Sequence, residues 1–161
     1  MRVRAIEDER MEDYKLPNLF IATSFCTWKC PTELGLPRGI CQNEPIAAKT
    51  VIHEVEDRRI VGMYLKNPIT KAIVFGGLEP FCQWDELYAL IKLFREDGVD
   101  DPIIIYTGYN KEEIGFWIEK LREFPNIIVK FGRFVPDQKP HYDPILGVDL
   151  ISDNQYAEVI S

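Results

Sequence analysis

The chain has 161 residues, of which 46% are hydrophobic, and this is enough to build the buried core of one domain. Its formal net charge of −7 disfavours general nucleic-acid binding, which depends on a basic surface. No run approaches the ~20 apolar residues of a membrane span, and the charged N-terminal segment lacks the apolar stretch of a secretory signal. We therefore expect one cytoplasmic domain spanning residues 1–161, with no membrane partner.

The predicted elements alternate between apolar strands and amphipathic helices. Residues 1–17 have weak periodicity and predict an irregular or short-strand lead-in. Mostly unbroken apolar runs predict strands at 19–22, 72–75, 102–106, 126–131 and 147–151. Apolar residues at helical spacing predict helices at 48–55, 58–66, from 85 to a stop at Gly98, and from a capping box at Asn110 and Glu113 to Leu121.

This alternation indicates an α/β fold with mostly parallel strands covered by helices. The crossovers are expected to be right-handed. In such folds, functional sites gather at the carboxyl ends of the strands. Three unusual segments each follow a predicted strand: the loop 24–43, the segment 76–80 and the segment 107–109. We expect all three to lie at the same edge of the sheet.

Loop 24–43 contains three of the four cysteines, namely Cys26, Cys30 and Cys41. In a reducing cytoplasm, clustered cysteines indicate metal binding or catalysis rather than disulfides. Three thiolates can hold three irons of a [4Fe–4S] cluster, which leaves the fourth iron open to a substrate or cofactor. Prolines and glycines after Cys30 predict that the rest of this loop is not helical.

A zinc site is the alternative interpretation of the three cysteines. Structural zinc usually has four ligands. The fourth ligand would have to be Cys82, His53 or His141, and none of these lies at zinc-knuckle spacing. Cys82 is otherwise interpreted as a small buried hydrophobic residue.

Four segments, in their order along the chain, resemble a radical S-adenosylmethionine (SAM) enzyme. More narrowly, they resemble the activating protein of anaerobic ribonucleotide reductase. The cysteines are similar to the family's C-x3-C-x2-C motif, but ten residues replace the last two, an expansion of eight. The second segment, Gly76-Gly77-Leu78-Glu79-Pro80, is similar to the family's Gly-Gly-Glu-Pro, and the third, Tyr106-Thr107-Gly108-Tyr109, to its Tyr-Thr-Gly-Tyr. The fourth has two parts. Phe131-Gly132-Arg133-Phe134 is similar to Asp-Gly-x-Phe, and Ser152-Asp153-Asn154-Gln155 to Ser-x-Asn-Gln.

The resemblance implies a single-domain partial (βα) barrel that binds a [4Fe–4S] cluster and SAM. It implies that Cys26, Cys30 and Cys41 are the metal ligands and the catalytic residues. The residues it implies for SAM binding are Ile40, Gln42, Gly76, Gly77, Glu79, Thr107 and Gly108. For Gly76-Gly77 and for Thr107-Gly108, a plain turn is the alternative.

The resemblance also implies a reaction and partners. The reduced cluster would cleave SAM to methionine and a 5′-deoxyadenosyl radical. The radical would take a hydrogen atom from a glycine of a glycyl radical enzyme such as anaerobic ribonucleotide reductase. The electron would come from a low-potential donor such as flavodoxin or ferredoxin. Two alternatives remain open, a radical SAM enzyme acting on a small molecule or RNA and a non-catalytic zinc-binding interaction module. We further hypothesise that the eight-residue expansion docks the partner.

Overall fold

The computed structural model describes residues 1–161 and contains one seven-stranded sheet and a separate hairpin. The sheet strands are Arg2–Arg10 (β1), Asn18–Thr23 (β2), His53–Glu54 (β3), Ala72–Gly77 (β4), Ile103–Tyr106 (β5), Ile127–Phe131 (β6) and Tyr156–Val159 (β9). The hairpin strands are His141–Asp143 (β7) and Val148–Leu150 (β8). The helices are Lys29–Glu33 (α1), Glu44–Ala47 (α2), Asp57–Lys66 (α3), Trp84–Glu96 (α4) and Gly115–Leu121 (α5). Short 3-10 turns lie at Arg38–Ile40, Pro80–Gln83 and Lys111–Glu113.

The sheet is mixed, and its strand order is β3-β1-β2-β4-β5-β6-β9. The four central strands β2, β4, β5 and β6 run parallel, whereas β1, β3 and β9 pair antiparallel with their neighbours. The carboxyl ends of the parallel strands therefore lie at one edge of the sheet. There, Thr23 is paired with Gly77, and Tyr106 with Lys130.

The two faces of the sheet are covered differently. One face packs against α3, α4 and α5, and its core includes the fully buried Phe75 and Phe94. The opposite face carries a smaller cluster, in which Phe20 and Val74 pack with Leu146 and Leu150 from the hairpin region. Each fully buried side chain of this size contributes about 1.5–3 kcal/mol to stability. The hairpin side leaves room for a cavity near the carboxyl ends of the strands.

Most of the predicted core elements are confirmed. The runs at 19–22, 72–75, 102–106 and 126–131 form β2, β4, β5 and β6. The helices predicted at 58–66 and from 85 onward are α3 and α4. The predicted capping box at Asn110 and Glu113 is present and caps the 3-10 turn that leads into α5. None of the helices combines the length and apolarity that a membrane crossing requires.

Two local predictions are wrong, and two need revision. No helix covers 48–55. Instead, residues 53–54 form the edge strand β3, and Val55 exchanges backbone hydrogen bonds with Met1. The lead-in, predicted to be irregular or a short strand, is a nine-residue strand, β1. The strand predicted at 147–151 is present as β8, but it pairs in the hairpin, and β9 completes the main sheet. The cysteine loop contains the short helix α1, because its Pro31 lies in the first helical turn, where the missing N–H costs little. The partial-barrel curvature stays a prediction.

Candidate metal centre

One cavity at the carboxyl edge of the sheet brings together nine of the ten predicted site residues. They come from the ends of β2, β4 and β5, which are far apart in sequence. The predicted residues that line it are Cys26, Cys30, Cys41, Gln42, Gly76, Gly77, Glu79, Thr107 and Gly108. Ile40 does not line the cavity and lies half-buried at the end of the 3-10 turn before Cys41. The parallel strands thus place the three segments at one edge, as the sequence predicts.

The cysteine loop folds back on itself between Cys30 and Cys41. Trp28 adopts a left-handed conformation with φ of 60° and starts α1. The amide of Leu36 then donates a hydrogen bond to the carbonyl of Pro31 over 2.9 Å. The Arg38 guanidinium lies 5.1 Å from the centre of the Trp28 ring, a cation–π contact that closes the expansion. This compact fold returns Cys41 to the cavity that contains the other two thiols.

The Cys30 thiol packs against the backbone of Gly108. A Cβ atom at position 108 would lie 3.0 Å from the Cys30 Sγ and 3.6 Å from the Glu79 Oε2. Carbon atoms in ordinary contact are about 3.5–4.0 Å apart, so a larger residue would displace the thiol. Glycine at position 108 therefore lets the thiol and the strand end approach each other.

Gly77 ends β4 in a conformation that favours glycine. Its φ is +79°, and a Cβ there would lie 3.0 Å from the Cα of Ala22 in the neighbouring strand. Most residues with a side chain are strained in this region. The preceding Gly76 carbonyl accepts a hydrogen bond of 2.9 Å from the Thr23 hydroxyl. This glycine pair allows the backbone of β4 to turn directly beside the cavity.

The Glu79 carboxyl joins the strand ends from inside the cavity wall. It accepts hydrogen bonds from the Thr107 hydroxyl (2.7 Å), the Gly108 amide (2.9 Å) and the Phe81 amide (3.2 Å). Burial raises the pKa of Glu79 to about 7, although these donors and the charge of Lys130 oppose the rise. Two predicted site residues, Glu79 and Thr107, therefore contact each other directly.

Lys130 is a cavity residue that the sequence analysis did not identify. It lies in β6 and is 5% exposed, and its ammonium donates one hydrogen bond, of 3.2 Å, to the Gly132 carbonyl. Burial lowers the pKa of this amine to about 8, while the charges of Cys30 and Glu79 oppose the shift. The sequence feature that could have identified Lys130 is that it is the one charged residue inside the apolar run of β6. Lys130 places positive charge beside a group of thiols.

The buried thiols must lose their protons to bind a cluster. Burial raises the pKa of Cys26 to about 12 and also raises that of Cys41, so both thiols are protonated in the metal-free protein at neutral pH. Metal binding must then release these protons. No three His, Cys, Asp or Glu side chains are placed to hold a single metal ion. The thiols of a cluster ligate different irons and need not converge on one point.

Cys82 is not among the residues that line the cavity. It belongs to the 3-10 turn after β4 and is half-buried. Its Sγ lies 4.0 Å from the Tyr109 hydroxyl. The fourth cysteine therefore lies outside the cavity lining, yet near enough to Cys26 to add to the effect of burial in raising the pKa of that thiol.

Comparison with known proteins identifies the family. No curated protein and no solved structure was found to match the chain significantly. A family model described as a 4Fe-4S single cluster domain matches residues 21–150, which include the cysteine loop and the central parallel strands. This match covers well over half of the chain, and the chain therefore belongs to the 4Fe-4S single cluster domain family.

Proposed function

We propose that this protein is a radical SAM enzyme that activates a glycyl radical enzyme, such as anaerobic ribonucleotide reductase. One observation carries the proposal: three thiols from one loop share a cavity with the glycine-rich ends of β4 and β5. A cluster domain needs only the thiols. The glycine segments beside them supply backbone groups that can approach a second ligand closely.

The residues divide into two groups by their chemistry. Cys26, Cys30 and Cys41 would hold the cluster as thiolates. The backbone of Gly76 and Gly77 would approach the methionine part of SAM. With cluster and SAM bound, the site would supply one-electron reductive cleavage of SAM to methionine and a 5′-deoxyadenosyl radical.

The chain itself positions these groups and limits the access of water. Glu79 holds Thr107 and Gly108 in place by hydrogen bonds. Phe20 and Leu78 give the cavity apolar walls. Lys130 offsets part of the negative charge of the thiolates, which is favourable in a site of low dielectric constant. The apolar walls exclude water, and this protects reactive species from side reactions.

The cysteine loop also supports a macromolecular partner. Leu34 and Leu36, both in the expansion, are 42% and 39% exposed. A protein that covers this loop would bury them and close the site. Shortening the expansion should then weaken partner activation while leaving SAM cleavage without partner intact. An equal loss of both activities would contradict the docking role.

The direct test of the proposed function is SAM cleavage by the anaerobically reconstituted protein. Under dithionite, the wild type and the matched control Cys82→Ser should form 5′-deoxyadenosine and methionine, whereas Cys41→Ser should form neither. Cluster-loaded wild type that forms neither product would contradict the proposal. With a partner deuterated at its glycine Cα, deuterium in 5′-deoxyadenosine would support the glycyl radical enzyme as substrate. If no deuterium appears, a small molecule or RNA is favoured instead.

A further inference from the structure

Arg133 lies at the centre of a polar network that joins three loops of the candidate site. Its side chain is 9% exposed. The guanidinium donates two parallel hydrogen bonds to Glu33, of 2.8 and 2.9 Å, and a third of 2.8 Å to Glu113. A fourth goes to the carbonyl of Gly108. One side chain therefore connects the cysteine loop with the loops that follow β5 and β6.

The network of Arg133 reaches both ends of the helix that carries Cys30. Glu33 is the last residue of α1, and Lys29 is its first. Lys29 donates a hydrogen bond of 2.7 Å to the same Glu113 that Arg133 binds. Both ends of α1 are thus tied to a single network, and Cys30 lies between them.

The helix needs such anchors because little else holds it. α1 has five residues, and its N-cap makes no side-chain hydrogen bond. Helices this short are unstable on their own in water. The only buried residue of α1 is Pro31, so apolar burial of this helix is limited to one residue. The polar network is therefore a large part of what fixes the position of α1.

The chemistry of the network requires arginine. Glu33 and Glu113 both have a pKa lowered chiefly by hydrogen bonds from Arg133, and that of Glu113 falls to about 2. The network therefore stays charged throughout the physiological pH range. A planar guanidinium offers five donors in a fixed fork, whereas a lysine has three donors on one atom. A lysine therefore cannot make the four hydrogen bonds of Arg133, least of all the parallel pair to Glu33.

We propose that Arg133 is a positioning residue for the iron–sulfur cluster. By joining Glu33, Glu113 and the Gly108 carbonyl, it holds α1 and places the Cys30 thiol at the cavity. Gly108 forms the other side of this arrangement, because its backbone packs against the same thiol. The inference rests on the proposed role of Cys30 as a cluster ligand.

The test compares Arg133→Lys with a matched control, Arg122→Lys. Arg122 also binds a glutamate and a backbone carbonyl, those of Glu119 and Ile160, but lies away from the cavity. We expect the anaerobic Arg133→Lys holoprotein to release iron to a chelator about 10- to 100-fold faster than the wild type, if the loss of affinity typical of residues that orient metal ligands acts through the release rate. Arg122→Lys should release iron at the wild-type rate.

A second readout examines α1 in the cluster-free protein. Amide hydrogen exchange of residues 29–33 should accelerate in Arg133→Lys, and in Arg122→Lys it should not. Glu33→Gln is the companion variant if Arg133→Lys fails to fold, because Glu33 is 51% exposed. It should accelerate both iron release and exchange, to a smaller extent.

The outcomes separate this inference from the proposed function. Wild-type iron release by Arg133→Lys, or equal acceleration in the Arg122→Lys control, would overturn the positioning role. Iron release that increases only in proportion to a lower urea midpoint would also overturn it, since it would show a general loss of stability. If the wild type takes up no cluster, the proposed function fails, and the exchange measurement still shows whether Arg133 anchors α1.

Discussion

Replacing Gly108 with alanine should weaken cluster binding without unfolding the protein. The new Cβ would lie 3.0 Å from the Cys30 Sγ. Since atoms of this size are in contact at about 3.5–4.0 Å, the thiol must move by about 0.5 Å or more. Metal–ligand distances tolerate only about 0.2 Å. The thiol therefore leaves its binding position before any other part of the fold has to adjust.

The cost to folding should be small. The Cys30 side chain can rotate about one bond, and the φ of Gly108 is not positive, so alanine is compatible with the backbone. Alanine also restricts the unfolded chain, which favours the folded state by about 0.4–1 kcal/mol. The free energy of unfolding of the cluster-free protein should therefore change by less than about 1 kcal/mol.

Two measurements check this prediction, iron and sulfide content after anaerobic reconstitution and urea unfolding of the cluster-free protein. The matched control is Gly115→Ala, because nothing lies within 4 Å of a Cβ there. Gly115→Ala should match the wild type in iron and sulfide content and should be more stable in urea by up to about 1 kcal/mol, because alanine restricts the unfolded chain. If Gly108→Ala binds the cluster as tightly as the wild type does, Cys30 does not bind iron from the position seen here.

Three further predictions concern the glycine pair, the buried carboxyl and the fourth cysteine. Gly77→Ala should lower the free energy of unfolding in urea by about 2 kcal/mol, because alanine at φ of +79° is strained and meets Ala22; an unchanged midpoint would contradict this. Burial raises the pKa of Glu79 from 4.5 to about 7, so the folded protein holds this proton more tightly than the unfolded chain does. Stability due to Glu79 is thus present below pH 4.5 and falls by up to about 3 kcal/mol as pH rises to 7. In urea unfolding of the cluster-free protein across this range, Glu79→Gln should remove that slope, and parallel curves for the two proteins would refute the assignment. Cys82→Ser should keep the full iron content after reconstitution, whereas Cys41→Ser should lose it; iron loss in the Cys82 variant would place that thiol at the cluster.

The central strands were predictable because their sequences are mostly apolar, without a polar residue at every second position. Both faces of these strands, β2, β4, β5 and β6, are buried in the structure. Their sequences are therefore mostly continuous apolar runs rather than alternating ones, and such runs are readily identified as strands. The position of the site followed from these strands, since parallel strands place their carboxyl ends at one edge. The edge strand β9, and β1 beside the short edge strand β3, carry exposed and charged residues, and their sequences do not distinguish them from loops.

The wrong helix shows a different limit. Ala48, Val51, Ile52 and Val55 have helical spacing, but the structure buries none of them fully, and Val51 is 58% exposed. An amphipathic helix is stabilised mainly when its apolar face packs against the rest of the protein, and here no such surface covers these residues. Their helical spacing therefore does not stabilise a helix. Backbone pairing of Val55 with Met1 determines the local structure instead.

The polar network around Arg133 lay beyond what the sequence could indicate. Arg133 and Glu33 are 100 positions apart. Their pairing depends on how the cysteine loop folds back, and no local pattern encodes this. Lys130 was detectable in principle as a charge inside an apolar strand, but only the sheet topology shows that it faces the cavity.

The central claim, that three thiols hold a [4Fe–4S] cluster with one open iron, is tested most directly by spectroscopy with SAM. Protein produced and purified without oxygen should contain iron and sulfide in equal amounts. SAM should alter the electron paramagnetic resonance signal of the reduced cluster, because it binds the open iron. Zinc without iron or sulfide, or a cluster signal that SAM leaves unchanged, would contradict the account.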